Sequence, residues 1–304
     1  MTTYKKFIFS LAPVVFLGGL NQYVYVFHKQ TMLFFESKLW QVSAIVAASL
    51  VVVITLHRLK INGVYKSIKF SAIIFLCIIP WNATPFLVAF SFFAGTFVSL
   101  FNVRIDRCTF NLNPAISSRM IIFFLNPPII KYDSISSATP LSLCRKSMMR
   151  MSECGVYPLK YLVFGAWPGA LGETSKVGVL IGALILISFK LYNPFFLIAG
   201  IFGAVIGWFF LGVGYTFTLL PGMIDYLFMG SFLFGLVFMT QDHFTHGLRR
   251  NEMLTYHFLV GLLCFIFRGI LPFPEATLIS LVMSQVLFMV FFFFKRKVDS
   301  LNMD

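Results

Sequence analysis

The stretch Tyr132–Leu141, YDSISSATPL, brings together the side chains of this sequence best suited to chemistry. Asp133, Ser136 and Thr139 set a carboxylate, a small hydroxyl and a threonine at three-residue steps, and Pro140 follows the threonine. A flexible run of small residues ending in a hydroxyl can lie extended in another enzyme's cleft and be modified there. The plainer reading is a solvated loop rich in turn-formers, which composition alone favours. Two further groups invite the same question. Glu173, in LGETS (171–175), lies at the entry of an apolar stretch; it is either a helix-start carboxylate favoured by the backbone dipole or a group that orients the loop or a cation. Arg119 lies inside an apolar stretch, where a guanidinium must find a phosphate or a carboxylate.

The elements that must position these groups are membrane helices. Of 304 residues, 59% are hydrophobic and only 12% charged, against about 45–50% and about 25% in soluble domains. Aromatic residues reach 18%, with 39 Phe, large flat side chains for lipid-facing and interhelical space. The net charge of +13 comes from Lys and Arg spread between apolar runs, which fits retention of basic residues on the cytoplasmic side, and no basic-aromatic stripe points to nucleic acid. Met1–Lys6 and the apolar run after it lack a small-residue cleavage site and read as a retained first span.

About 20 apolar residues make a spanning helix, and the sequence offers about ten such stretches. They lie near residues 7–27, 40–57, 68–81, 85–102, 113–129, 176–191, 194–213, 224–241, 253–270 and 274–294. With the N-terminus inside, the inner connections carry more Lys and Arg than the outer ones, both termini are cytoplasmic, and YDSISSATPL falls on the far face. The expectation is an all-α polytopic membrane protein: one integral membrane domain over 1–304, with a first helical half at 1–129, a non-cytoplasmic loop at 130–175 and a second half at 176–304. Five spans on each side of the loop suggest two halves of inverted orientation.

Cysteines number five with no C-x-x-C pair, so a zinc or iron–sulfur site held by this chain alone is not expected. Cys144 and Cys154 share the central polar segment, as a disulfide or as thiols. The histidines form no spaced ligand set; His243 and His246 read as interfacial residues. Asp242 and Thr245 sit at the inner end of the eighth stretch, where a structural role is favoured, and Glu275 is an acid at a membrane boundary.

Five short motifs then follow in order: FNLNPA (110–115) with Arg119 after it, YDSISSATPL, LGETS, GSFLFGLVFMTQDHFT from Gly230, and FRGILPFPEA ending at Ala276. Their order and spacing resemble the NqrB/RnfD family, which contains the RnfD subunit of the Rnf complex and the NqrB subunit of the Na+-translocating NADH:quinone oxidoreductase. The resemblance is patchy over the first hundred residues and nearly continuous from about 105 to 290. The compact ends are more similar to the Rnf member.

The resemblance implies a fold like that of urea and ammonium channels. It also implies a bacterial inner-membrane subunit of an ion-translocating electron-transport complex that is not catalytic alone. Its partners would be the other complex subunits, a flavin transferase and membrane lipid. By position Thr139 matches the family threonine that carries FMN through a phosphoester, within a segment that includes Asp133, Ser136, Ser137 and Ala138. Arg119 would meet a flavin phosphate or Glu173, and a non-covalent riboflavin among the helices is a further implied cofactor. This chain departs from the family pattern at Ser137, where a glycine is usual, and shows no D-x-S marker near the third span. Two other readings stand beside the electron carrier: a flavin-free transporter or channel of the same fold, and a scaffold subunit that has lost its flavin. The coupling ion and the direction of electron flow are not written in these residues.

Overall fold

A computed structural model describes residues 3–25, 31–58, 65–80, 83–101, 103–105, 108–110, 112–125, 140–149, 158–167, 169–215, 220, 222–241, 247–271 and 275–301. From the N-terminus the chain forms α1 (Thr3–Tyr25), α2 (Thr31–Arg58), α3 (Tyr65–Ile78) and α4 (Pro85–Val98). A hairpin of β1 (Val103–Ile105) and β2 (Cys108–Phe110) leads into α5 (Pro114–Leu125). Three short helices follow: α6 (Pro140–Met149), α7 (Leu159–Phe164) and α8 (Leu171–Thr174). Then come α9 (Lys176–Ser188), α10 (Pro194–Tyr215), α11 (Met223–Phe228), α12 (Phe232–Phe234) with a π-helical turn at Gly235–Met239, α13 (Arg250–Ile270) and α14 (Ala276–Leu301).

Each of the ten apolar stretches holds helix, but in three forms. Five helices (α1, α2, α10, α13 and α14) are long and apolar enough to cross a membrane, so this is a polytopic helical membrane protein. Four more (α3, α4, α5 and α9) are apolar but only 12 to 14 residues long, about 20 Å at 1.5 Å per residue. The stretch 224–241 is interrupted. Its first half ends at Phe228, Gly230 turns with φ 65°, and the helix restarts at Phe232. Glycine enters that left-handed region at little cost, and a Cβ there would stand 2.7 Å from Leu141 Cδ2. Hydropathy registers only that both halves are apolar and is blind to the break.

Helix starts follow capping chemistry. Thr84 accepts from the Leu87 amide at 3.4 Å with Pro85 at the first helical position. In FNLNPA, buried Asn113 accepts from the Ala115 amide at 2.9 Å and from the Ser71 hydroxyl at 3.2 Å, so the motif both starts α5 and ties it to α3. Ser175 opens α9 by accepting from the Gly178 amide at 3.1 Å. Antiparallel pairing of Val103 with Phe110 and Ile105 with Cys108 makes the small hairpin, which the apolar pattern leaves invisible.

Packing is closest where side chains are smallest. A Cβ at Gly261 on α13 would lie 1.9 Å from the Gly200 carbonyl on α10, and one at Gly203 would lie 2.0 Å from the Phe258 carbonyl. Gly95 of α4 meets Ser118 of α5 in the same way, and Gly182 of α9 meets the Ser10 carbonyl of α1. In lipid, apolar burial gives helices little reason to associate, so backbone approach through small residues supplies the packing. In the first group α2 lies on α4, α4 on α5 and α3 on α5. In the second, α10 lies on α13, α13 on α14 and the π-helical turn on α14, while α1 and α9 pack across the two groups.

The α10–α13 seam is open to test. Gly203→Ala should cost about 1–3 kcal/mol by overpacking, read as a lower melting temperature in detergent. Gly214→Ala on the same helix, where nothing lies within 4 Å of the added carbon, should leave the melting temperature unchanged or slightly raised.

Candidate functional site

Of the residues singled out from the sequence, Asp133, Ser136, Ser137, Ala138 and Thr139 lie outside the described residues, as do Asp242, His243, Thr245, His246 and Cys154. Pro140 and Leu141, which directly follow Thr139, open α6 and are placed. Pro140 lines a cleft with Glu173, Thr174, Lys176, Trp167, Met229 and Gly230 among its walls. The cleft has room for about 30 Å³ of water-sized groups, and about 310 Å³ of empty space when its mouth is included.

The wall residues of α7 and α8 are held on the C-terminal half of α1. Asn21 Nδ2 donates to the Phe164 carbonyl at 2.7 Å, and buried Gln22 Nε2 donates to the Gly169 carbonyl at 2.6 Å. Gly18 lets the Leu171 carbonyl come so close that a Cβ would stand 2.3 Å from it. Glu173 therefore reaches the cleft from α8 as a helix-start acid, its Oε2 accepting from the Ala170 amide at 3.4 Å.

Two basic residues that the sequence presents only as topology charges are the most buried cations among the described residues. Lys176 is 2% exposed and donates to the carbonyls of Glu173 and, at 2.7 Å, of Gly230. Arg268, also 2% exposed, donates to the carbonyls of Tyr226 and, at 2.7 Å, of Met229. Its guanidinium carbon lies 4.9 Å from the ring centres of both Tyr226 and Phe265, a cation–π seat that offsets part of its desolvation. The one signal that could have found them is proximity in sequence: Lys176 follows LGETS and Arg268 belongs to FRGILPFPEA.

Arg119 finds a carboxylate, as its place in an apolar stretch requires, but on Glu275 rather than Glu173. Its Nη2 donates to Glu275 Oε1, and the two side chains are 15% and 14% exposed. Glu275 stands in the turn ahead of α14, outside the apolar span Ala276–Lys295. Burial raises its carboxyl above the usual value of 4.5, Arg119 draws it down, and the charge of Glu173 pushes it further up. Residues of the motifs thus form two sets: Arg119 pairs with Glu275, while Pro140, Glu173 and Gly230 line the cleft with Arg268 behind Gly230, and the charge of Glu173 is felt at Glu275.

Other groups play structural parts. His257 is buried, with Nδ1 2.8 Å from the Met253 carbonyl and Nε2 3.1 Å from Thr240 Oγ1. Cys144 is disulfide-bonded, whereas Cys77, Cys108 and Cys264 are thiols. Among the described residues no cluster of three or more His, Cys, Asp or Glu could hold a metal.

A model of the NQR2, RnfD, RnfE family matches residues 3–297. The chain belongs to this family. It is 29% identical over 186 residues to the NqrB subunit of the Na(+)-translocating NADH-quinone reductase of Chromohalobacter salexigens, a match covering 58% of this chain and 45% of that one. The same subunit of the Yersinia pestis reductase is 29% identical over 191 residues, 58% of this chain and 46% of its own. That of Pseudoalteromonas atlantica is 27% identical over 188 residues, again 58% and 46%. The matched part is therefore about half the length of these relatives.

The Arg119–Glu275 pair gives two measurable consequences. Arg119→Leu or Glu275→Leu alone should each cost about 1–3 kcal/mol, because the remaining group loses its partner, and the double replacement should recover most of that; unfolding in mixed micelles measures the cycle. The upward shift of Glu275 means that the folded chain holds this proton more tightly than the unfolded one. Its contribution to stability is present below the unfolded value and is lost as pH rises through the folded value. Melting temperatures across the mildly acidic range should carry that component in the native protein and lack it in Glu275→Gln.

Proposed function

We propose that this chain is the membrane subunit of an ion-translocating electron-transport complex of the Rnf or Nqr type, and that it carries FMN as a phosphoester on Thr139. One observation carries the reading: residues of three motifs, Pro140, Glu173 and Gly230, line one cleft, and Pro140 is the residue bonded to Thr139. Membership of the NQR2, RnfD, RnfE family and the NqrB relatives support the same assignment.

The residues present suit such a group at its phosphate end. The cleft admits water-sized groups and not a three-ring flavin, so the ring belongs outside it. Lys176 lines the cleft and Arg268 stands behind Gly230, and both are cations. When bound, the flavin would accept and pass on electrons; the chain's own task is to fix its distance, orientation and surroundings. Glu173, held at the start of α8, shapes the cleft wall, and Arg119 clamps Glu275 at the turn before α14.

In this reading the ten helical stretches cross the membrane as two five-helix halves, 1–129 and 176–304, of opposite orientation, resembling urea and ammonium channels. The neighbour pattern supports it: α2–α4, α4–α5 and α3–α5 recur as α10–α13, α13–α14 and the π-helical turn on α14. Both termini lie in the cytoplasm of a bacterial cell and the segment 130–175 on the outer side of its inner membrane. The disulfide at Cys144 fits an oxidising compartment on that side. The other subunits of the complex and a flavin transferase are the partners, with a riboflavin among the helices as a further cofactor. A scaffold subunit without flavin is the second reading, favoured by Ser137, where a side chain replaces the family's glycine.

Intact mass of the full chain, co-expressed with a flavin transferase, decides between them. The expected result is one FMN adduct that disappears in Thr139→Val. An unmodified native chain that gains the adduct only in Ser137→Gly would establish the scaffold reading instead.

A further inference from the structure

Lys176 and Arg268 place two buried positive charges beside one cleft, with Glu173 as the acid on its wall. Carbonyl oxygens satisfy hydrogen-bond donors but do not neutralise charge, and Glu173 supplies one negative charge against the two positive ones, so one positive charge is left in excess. Donors also remain. An ammonium has three and Lys176 uses two of them on the Glu173 and Gly230 carbonyls. Among the described residues, Arg268 Nε has no hydrogen-bond partner although it is buried. Lys176 is moreover the first residue of the 13-residue α9, whose N-terminus presents the positive end of the helix dipole.

We propose that this cleft is a phosphate-holding subsite, anchored by Lys176 and backed by Arg268. Its roughly 30 Å³ interior suits phosphate oxygens, and Pro140 is part of its lining. The source of the phosphate rests on the function proposed above: the phosphoester on Thr139 lies one residue from the cleft wall. The same chemistry would serve inorganic phosphate or the headgroup of a phospholipid. Lys176 is a positioning residue, holding the phosphate end while the ring stays outside.

The test uses the full chain in detergent at neutral pH, with melting temperature as the readout. Sodium phosphate is compared with sodium chloride at equal ionic strength, and dihexanoyl phosphatidylglycerol is a third arm. Thr139→Val, whose subsite is vacant, should gain about 3 °C with phosphate, while the flavin-bearing native chain, whose subsite is filled, should gain nothing. In the Thr139→Val background, Lys176→Met should lose the response and Lys176→Arg keep it. If Lys176→Met does not fold, Lys176→Gln against Lys176→Arg makes the same comparison. A response that survives removal of the Lys176 charge, or no response to any phosphate compound in Thr139→Val, overturns the subsite. A native chain that carries no flavin by mass yet responds to phosphate as Thr139→Val does would sink the flavin reading and leave the subsite standing. Protection by the phosphatidylglycerol alone, lost with Lys176, would keep the subsite and assign its phosphate to lipid.

Discussion

A helix that stops inside an apolar protein leaves carbonyl oxygens with no amide to accept from, and lipid offers no water to replace it. The break at Gly230 creates that problem, and Lys176 and Arg268 solve it by donating to the carbonyls of Tyr226, Met229 and Gly230. Most of the site depends on this exchange. It fixes the left-handed turn at Gly230, and that turn leaves space for Leu141 and thereby seats the start of α6. The segment immediately before α6 is the one that carries Thr139. Placement of the start of α6 and satisfaction of a broken helix are in this sense one constraint.

The cations also bring a cost of their own, since two charges have been taken out of water. Aromatic faces offset part of it for Arg268, through Tyr226, Phe232 and Phe265. The hydrogen bonds to carbonyls at the end of α11 offset more, because a helix C-terminus carries partial negative charge. Glu173 on the cleft wall answers one of the two charges, and the phosphate proposed for the cleft would answer the other.

Rigidity comes from the glycine seams. Where α10 meets α13 and α4 meets α5, backbones approach too closely for any side chain between them, so these pairs resist sliding as rigid units. The charged residues sit between such pairs. Arg119 on α5 reaches Glu275 ahead of α14, and Arg268 on α13 reaches the end of α11. Close-packed pairs joined by an ion pair and carbonyl contacts make a stiff scaffold.

The sequence by itself determined that the chain is a helical membrane protein, where its apolar stretches lie, and that YDSISSATPL and LGETS are the polar exceptions, because hydropathy and composition are local properties. It also carried the helix starts: Asn113 with Pro114, and Ser175 before α9, cap through atoms two or three residues away. Only the tertiary structure decided that the 224–241 stretch is two half-helices, that Arg119 answers Glu275 across 156 residues, and that Lys176 and Arg268 are buried rather than interfacial. Those outcomes depend on which carbonyls and carboxylates a cation meets once distant helices pack, and a charge in a sequence carries no record of its eventual partner.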